Sequence, residues 1–232
     1  LKEGTADFYN FTDREIAVTC ASHHAESEHI NTVNSILNKI GLKDTALECG
    51  FHFPLDGNTK KDLHSGKKRK SNIYNNCSGK HAGLLAFIQR MKYPVSNYIN
   101  HTHPIHNKIK DYIADISEDK PRGYAVDGCS LPTPYFNLQT LATMYMKLIT
   151  AQPKSELYIV LNAMRKNPQM VSGKKGFDTL FMKYFNNNAV SKGGAEGMQA
   201  LALRSKKHGN ISLALKVSDG NHRGNYISCI SI

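Results

Sequence analysis

The sequence predicts one α/β unit of the α+β type, in which an antiparallel sheet is flanked by helices. Through the first two thirds of the chain, apolar residues recur at the spacing of amphipathic helices. From about residue 198 onward they alternate with polar residues at the two-residue period of a strand. No internal repeat and no proline-rich linker divides the 232 residues, so we treat residues 1–232 as a single domain.

The composition is that of a globular protein. Hydrophobic residues make up 40 % of the chain and charged residues 21 %, which excludes a disordered or fibrous protein. No apolar run approaches the ~18 to 20 residues of a membrane helix, so we expect no membrane partner. The five cysteines are odd in number and widely spaced, which indicates a cytoplasmic protein with free, metal-bound or catalytic thiols.

The first helices are marked by their termini. Thr12 and Glu15 have the spacing of a capping box, which predicts a short helix or the approach to a strand after residue 12. A clear amphipathic helix opens at Ser27 and is predicted to stop at Gly41. Ser22 and His23 are therefore expected just before a helix N-terminus.

Residues 60–70 carry six basic side chains and one acidic one. Such a patch can dock nucleic acid. It contains no aromatic residue for base stacking, so we predict a solvated loop and expect no nucleic-acid partner.

Three further helices are expected before the strands. Residues 83–88 form the middle of one of them. A second has Pro104 near its first turn, and a third is capped by Asn137. Three histidines lie at positions 101, 103 and 106, and their position near a helix start predicts surface or capping roles and no metal site.

The C-terminal third predicts an antiparallel hairpin. Residues 211–217 alternate between an apolar face and a small or polar face, and Lys216 lies on the latter. Residues 198–203 offer the partner strand, with residues 205–210 as the connection.

Five glycine-punctuated stretches are poor in ordinary core residues and rich in reactive ones. They are residues 20–23 (CASH), 75–83 (NNCSGKHAG), 127–133 (DGCSLPT), 193–197 (GGAEG) and 216–220 (KVSDG). Each stretch alone fits a turn or a helix start. Together they indicate a site.

These stretches, with residues 49–56 (CGFHFPLD), resemble the asparaginase II family, the thermolabile, rhizobial type of L-asparaginase. The resemblance runs to about Arg223, and the NCSGKH run is its most specific part. It implies a fold similar to serine β-lactamases and glutaminases. It also implies an amidohydrolase that converts L-asparagine into L-aspartate and ammonia, with a homodimer as the expected oligomer.

The resemblance also implies roles for particular residues. Ser22 and Lys216 match an active-site serine and the lysine paired with it, and we expect them within hydrogen-bond reach. Zinc is implied as the cofactor. The implied zinc ligands are Cys77, Lys80 and Cys129. The implied substrate-binding residues are His23, Ser78, Asp127 and Glu196, of which Asp127 is also expected to orient a zinc ligand.

The chain departs from the family in one respect. The family has a further Ser-x-x-Lys motif upstream of the region that residues 1–13 resemble, and this chain begins after it. We therefore expect the domain as given to lack the family's N-terminal segment and to show little activity alone. The alternative function is a non-catalytic zinc- or asparagine-binding remnant of the same fold.

Overall fold

The computed structural model describes residues 1–186 and 188–231. Within these residues the chain forms eleven α-helices and five β-strands. The helices are α1 (Thr5–Phe8), α2 (Asp13–Thr19), α3 (Ser27–Lys39), α4 (Gly57–His64), α5 (Ser78–Arg90), α6 (Pro104–Ser117), α7 (Leu138–Ile149), α8 (Glu156–Lys166), α9 (Pro168–Ser172), α10 (Phe177–Tyr184) and α11 (His222–Ile230). The strands are β1 (Gly123–Val126), β2 (Pro132–Tyr135), β3 (Ala189–Gly193), β4 (Met198–Ser205) and β5 (Gly209–Lys216).

The strands form two antiparallel sheets. β1 pairs with β2 in a hairpin, and β3, β4 and β5 form a sheet with β4 in the centre. In that sheet Lys192 lies opposite Ala200, and Ala200 lies opposite Ala214. Lys192 therefore points to the face that carries the small residues of β4 and β5.

Helices cover both faces of the three-stranded sheet. On one face, Val190 and Ala202 pack in a buried cluster with Ile149 of α7 and Leu161 of α8. On the other face, Ala189 and Leu201 pack with Phe181 of α10 and Cys229 of α11. The predicted antiparallel sheet flanked by helices is confirmed.

The N-terminal half is a helical layer with its own core. Val18 of α2, Val33 and Ile36 of α3, and Ala82 and Leu85 of α5 belong to one cluster of buried side chains. The core sits where these three helices meet, so it fixes how the end of α2 approaches the start of α5.

Most predicted termini are confirmed. The Thr12–Glu15 capping box precedes α2, and α3 begins at Ser27. Asn137 caps α7 by accepting the Thr140 N–H, and Pro104 is the first residue of α6. The hairpin also forms, although β4 and β5 extend to Ser205 and from Gly209, so its turn is shorter than predicted.

The basic stretch differs from the prediction. Its first residues belong to α4, because the Asp56 carboxylate accepts the Thr59 N–H and caps that helix. Lys70 lies over the rings of Phe51 and Phe53, aromatic residues from outside the stretch. The patch is thus only partly the solvated loop that its composition suggests.

Of the histidines near α6, His103 has the predicted capping role, whereas His106 is buried within the helix. His103 accepts the Ile105 N–H at the N-terminus of α6. His106 Nε2 is 2.8 Å from the Tyr98 carbonyl.

Among the helices described, none has both the length and the apolar character needed to cross a membrane.

The packing of α2 on α5 predicts the effect of Gly79→Ala. A Cβ at Gly79 would lie 2.2 Å from the Val18 carbonyl oxygen, which is backbone and cannot move aside cheaply. We expect Gly79→Ala to destabilise the fold by about 1–3 kcal/mol in urea unfolding. The matched control is Gly57→Ala, because nothing lies within 4 Å of a Cβ there. Equal stability of the two variants would contradict the close approach of α2 and α5.

Candidate active site

Ser22 lies on a loop between α2 and α3 that backbone hydrogen bonds hold on both sides. The Ser22 N–H donates to the Val171 carbonyl at 3.1 Å, and the His23 N–H donates to the Asn76 carbonyl at 3.0 Å. These bonds tie the loop to α9 and to the segment before α5. The Ser22 side chain is half-buried, so its hydroxyl is both positioned and accessible.

The amine of Lys192 contacts the Ser22 hydroxyl. Lys192 Nζ lies 2.8 Å from Ser22 Oγ and also donates to the Gly193 carbonyl. Burial disfavours the charged amine and lowers the pKa of Lys192. An amine that loses its proton more readily than usual can accept one from a neighbouring hydroxyl.

The predicted contact between Ser22 and Lys216 is wrong. Lys216 Nζ donates to the carbonyls of Glu196 and Val217, at 2.6 and 3.0 Å. Lys216 shares the small-residue face with Lys192 but lies on β5, with β4 between the two strands. Because neighbouring strands are about 4.8 Å apart, the two lysines are separated across the sheet as well as along it.

His23 and Ser78, predicted to bind substrate, hydrogen-bond to each other inside the protein. Both residues are fully buried, and His23 Nε2 lies 2.9 Å from Ser78 Oγ. His23 Nδ1 accepts the Ala25 N–H, and Ser78 Oγ donates to the Ile73 carbonyl. These bonds turn both side chains inward, where they hold the serine loop against the start of α5.

A second group of reactive side chains lies nearby. One ligand atom each from Cys77, Asp127 and Cys129 lies within 4.8 Å of the others. Lys80 Nζ lies 3.3 Å from an Asp127 oxygen, and Cys129 Sγ donates to the same oxygen at 3.2 Å. The structure therefore brings together the three predicted metal ligands and the predicted orienting carboxylate.

Two rigid turns present the thiols. Cys77 precedes α5, and its N–H donates to the Asn75 side chain, whose amide in turn donates to the carbonyls of Cys49 and Gly50. Cys129 lies in a turn closed by hydrogen bonds from the Asp127 N–H to Leu131 and from the Ser130 N–H to Asp127. The two cysteines can therefore meet although they are far apart in sequence.

The two thiols differ in acidity. A hydrogen bond from Cys129 lowers the pKa of Cys77 to about 7, against the opposing effect of burial and with help from Lys80. The same hydrogen bond together with burial raises the pKa of Cys129 to about 12. Burial opposes a charge on Lys80, but the thiols and Asp127 outweigh burial and raise its pKa. One thiolate next to an ammonium is thus the favoured state of the group.

The serine and thiol groups belong to one site. His23, which follows Ser22, is bonded to Asn76, which precedes Cys77. The charges of Cys77 and Lys80 also affect the pKa of Lys192, so the two groups are electrostatically coupled. Asp127 is half-buried and Glu196 is exposed, so both carboxylates are accessible.

A cavity of about 460 Å³ lies elsewhere, between α6 and the β1–β2 hairpin. It is lined by residues such as Ile109, Tyr124 and Val126 and by none of the reactive side chains described above. Because it contains neither a hydroxyl paired with a lysine nor a thiol, the chemistry favours the Ser22–Lys192 pair as the candidate active site.

Lys192 and Asn75 are the residues of this site that the sequence analysis left without a role. Lys192 directly precedes the glycine-rich residues 193–197, which the analysis did single out. A lysine at the end of a strand before such a turn is the signal that would have identified it.

Comparison with known protein families identifies the family of the chain. A family model described as L-asparaginase II matches residues 1–232, the whole chain. Among curated proteins, no sequence matches this chain significantly.

The buried contact between His23 and Ser78 predicts a role for His23 in stability. We expect His23→Ala to lower the free energy of unfolding by about 2–4 kcal/mol, because it leaves a cavity and unpaired polar groups. Urea unfolding measures this loss. His101→Ala, at an exposed histidine, is the control and should change stability by no more than about 0.5 kcal/mol. If His23→Ala were as stable as the native protein, His23 would again be a candidate for binding substrate.

Proposed function

Because the chain belongs to the L-asparaginase II family, we propose that it hydrolyses the side-chain amide of L-asparagine to L-aspartate and ammonia. The observation that carries the proposal is the 2.8 Å contact between the accessible Ser22 hydroxyl and the Lys192 amine. An amide reacts only with an activated nucleophile, and a lysine of lowered pKa is a suitable base for a serine.

In this proposal Ser22 Oγ attacks the amide carbon while its proton moves to Lys192 Nζ. The resulting ammonium then returns the proton to the amide nitrogen, which leaves as ammonia and yields an ester on Ser22. Water attacks the ester in the same way, with Lys192 as the base, and releases aspartate and free Ser22. Each step needs the lysine in the opposite protonation state from the step before, which suits an amine whose pKa is lowered.

The second part of the proposal is a zinc site at Cys77 and Cys129. Two zinc–sulfur bonds of about 2.3 Å can join sulfur atoms up to about 4.6 Å apart, and the two thiols lie close enough for a single ion. The acidity of Cys77 also fits, because zinc binds thiolates. Lys80 and Asp127 both lie close enough to offer a third ligand. Lys80 would have to break its ion pair with Asp127 before its amine could bind zinc. When bound, zinc would supply positive charge beside the substrate.

The substrate contacts in this proposal are assigned to accessible residues. Asp127 and Glu196 offer carboxylates that suit the α-amino group of asparagine. Asp127 also accepts hydrogen bonds from Cys129 and Lys80, so it would couple substrate binding to the thiol group.

The setting and assembly that we propose follow the resemblance. The five cysteines are free, which suits a cytoplasmic protein. A homodimer is the proposed oligomer.

Substitutions of two lysines test the catalytic assignment. We expect Ser22→Ala and Lys192→Ala each to lower kcat for ammonia release from asparagine by about 10³-fold or more. Lys216→Ala is the matched control, since it removes a lysine from the same face of the sheet; it should keep kcat within about tenfold. Circular dichroism would verify that each variant is folded. Loss of activity in Lys216→Ala, with Lys192→Ala active, would reverse the assignment.

Metal analysis tests the zinc site. We expect the purified protein to bind about one zinc ion per chain, and Cys77→Ser and Cys129→Ser to weaken binding by at least about 100-fold in competition with a chelator. Cys229→Ser, at a buried cysteine of α11, is the control and should bind zinc like the native protein. Native-like binding in both site variants would exclude these thiols as ligands.

A further inference from the structure

Asp178 is a buried carboxylate that the catalytic proposal does not use. It lies in the first turn of α10 and is only 6 % exposed. It accepts hydrogen bonds from the Ser191 hydroxyl at 2.6 Å, the Gln199 amide at 2.7 Å and the Gly193 N–H at 3.0 Å. Three hydrogen-bond donors therefore converge on this one buried side chain.

These donors surround Lys192 in the sequence and in the sheet. Ser191 and Gly193 are its two neighbours on β3, and Gln199 is the β4 residue opposite Gly193. The Gln199 amide also donates to Ser191 Oγ at 2.8 Å. Asp178 therefore holds β3 on both sides of Lys192. Within the described part of the chain, Asp178 and Lys192 form no direct ion pair.

We propose that Asp178 is the positioning residue of the Ser22–Lys192 pair: it fixes the backbone that carries Lys192 and supplies a negative charge on the opposite side of β3 from its amine. The proposal rests on the proposed function. Asp178 itself touches neither the substrate nor the reacting atoms.

The charges around Lys192 indicate why this matters. The groups whose charges affect the pKa of Lys192 lie on three sides: Asp178 is on α10, Cys77 and Lys80 are at the start of α5, and Cys20 is at the end of α2. After burial, which lowers the pKa of Lys192, Asp178 has the largest effect and raises it. When Lys192 takes the proton of Ser22, the ammonium forms in a buried place. A fixed negative charge nearby stabilises that ammonium without moving.

The surroundings of Asp178 also allow its charge to be removed with little disturbance. Gln199 Oε1 is buried and has no hydrogen-bond partner. In Asp178→Asn the oxygen of the new side chain can accept the Gly193 N–H. Its NH2 group then lies where Asp178 Oδ1 accepted from Ser191 and Gln199. It can donate to Ser191 Oγ, and to Gln199 once the Gln199 amide has turned over to present Oε1. The variant is thus expected to lose the charge and to keep residue 178 hydrogen-bonded to Ser191, Gly193 and Gln199. We call these hydrogen bonds the clamp on β3.

The experiment compares Asp178→Asn with Ser191→Ala, which removes the two hydrogen bonds of the Ser191 hydroxyl, to Asp178 and from Gln199, and keeps the charge. The pKa of Lys192 is read from the NMR titration of ¹³C-labelled lysine side chains, with the Lys192 signal assigned by Lys192→Arg. Steady-state kinetics on asparagine are measured over pH. The titration does not require turnover, so it can be interpreted even if the native protein proves inactive towards asparagine.

For Asp178→Asn we expect the pKa of Lys192 to fall by about one pH unit and kcat to drop by about tenfold or more at little change in KM. The limb of the pH profile that reports Lys192 should move to lower pH by a similar amount. For Ser191→Ala we expect an unchanged Lys192 pKa and a loss of kcat of about three- to tenfold.

The outcomes separate the two proposals. An unchanged Lys192 pKa in folded Asp178→Asn overturns the role of its charge, and a native kcat in Ser191→Ala overturns the clamp. If Asp178→Asn does not fold, Ser191→Ala decides on the clamp alone. A native protein without turnover overturns the proposed function, whereas a shifted Lys192 pKa in Asp178→Asn still supports the coupling.

Discussion

The close contact between α2 and α5 is the constraint on which the candidate site depends. Gly79 lets the first turn of α5 lie against the Val18 carbonyl, where a methyl group would not fit. Ser22 follows α2 by a few residues, and Cys77 immediately precedes α5. The contact that buries the helical core therefore also places the serine loop beside the thiols. Fold stability and site geometry depend on the same packing.

The sheet contributes the third part of the site through one edge strand. β3 carries Lys192 on its small-residue face and Ser191 on the opposite face, because successive side chains of a strand alternate. The first points to Ser22 and the second to Asp178 on α10. The Lys192 amine thus lies on the side of β3 where Ser22 is, while Asp178 binds the strand from the opposite side. This arrangement lets burial and charge tune the lysine without obstructing the serine.

Sequence patterns predicted the local elements well, as the capping box before α2, Pro104 in α6 and the β4–β5 hairpin demonstrate. They also identified Cys77 and Cys129, because reactive residues in glycine-rich turns stand out. They failed where two residues compete for one role. Lys192 and Lys216 both lie near glycines and on the same face of the sheet. Their strands, β3 and β5, are the two edges of that sheet, and nothing in the local sequence shows which edge lies beside Ser22. The burial of His23 and Ser78 was likewise not foreseen, since burial depends on what packs over a residue.

The sequence alone determined the family and the residue types that can carry out amide hydrolysis, because short motifs indicate both. It also determined the mixed α/β class, because the period of apolar residues differs between helices and strands. Only the tertiary structure decided which lysine meets Ser22, that His23 turns inward, and that Asp178 supports Lys192 from the far side of β3. The physical reason is that these facts depend on strand order and on helix approach. Both are set by tertiary contacts between separate elements, such as the Ser22–Lys192 contact across 170 positions, which no local pattern records.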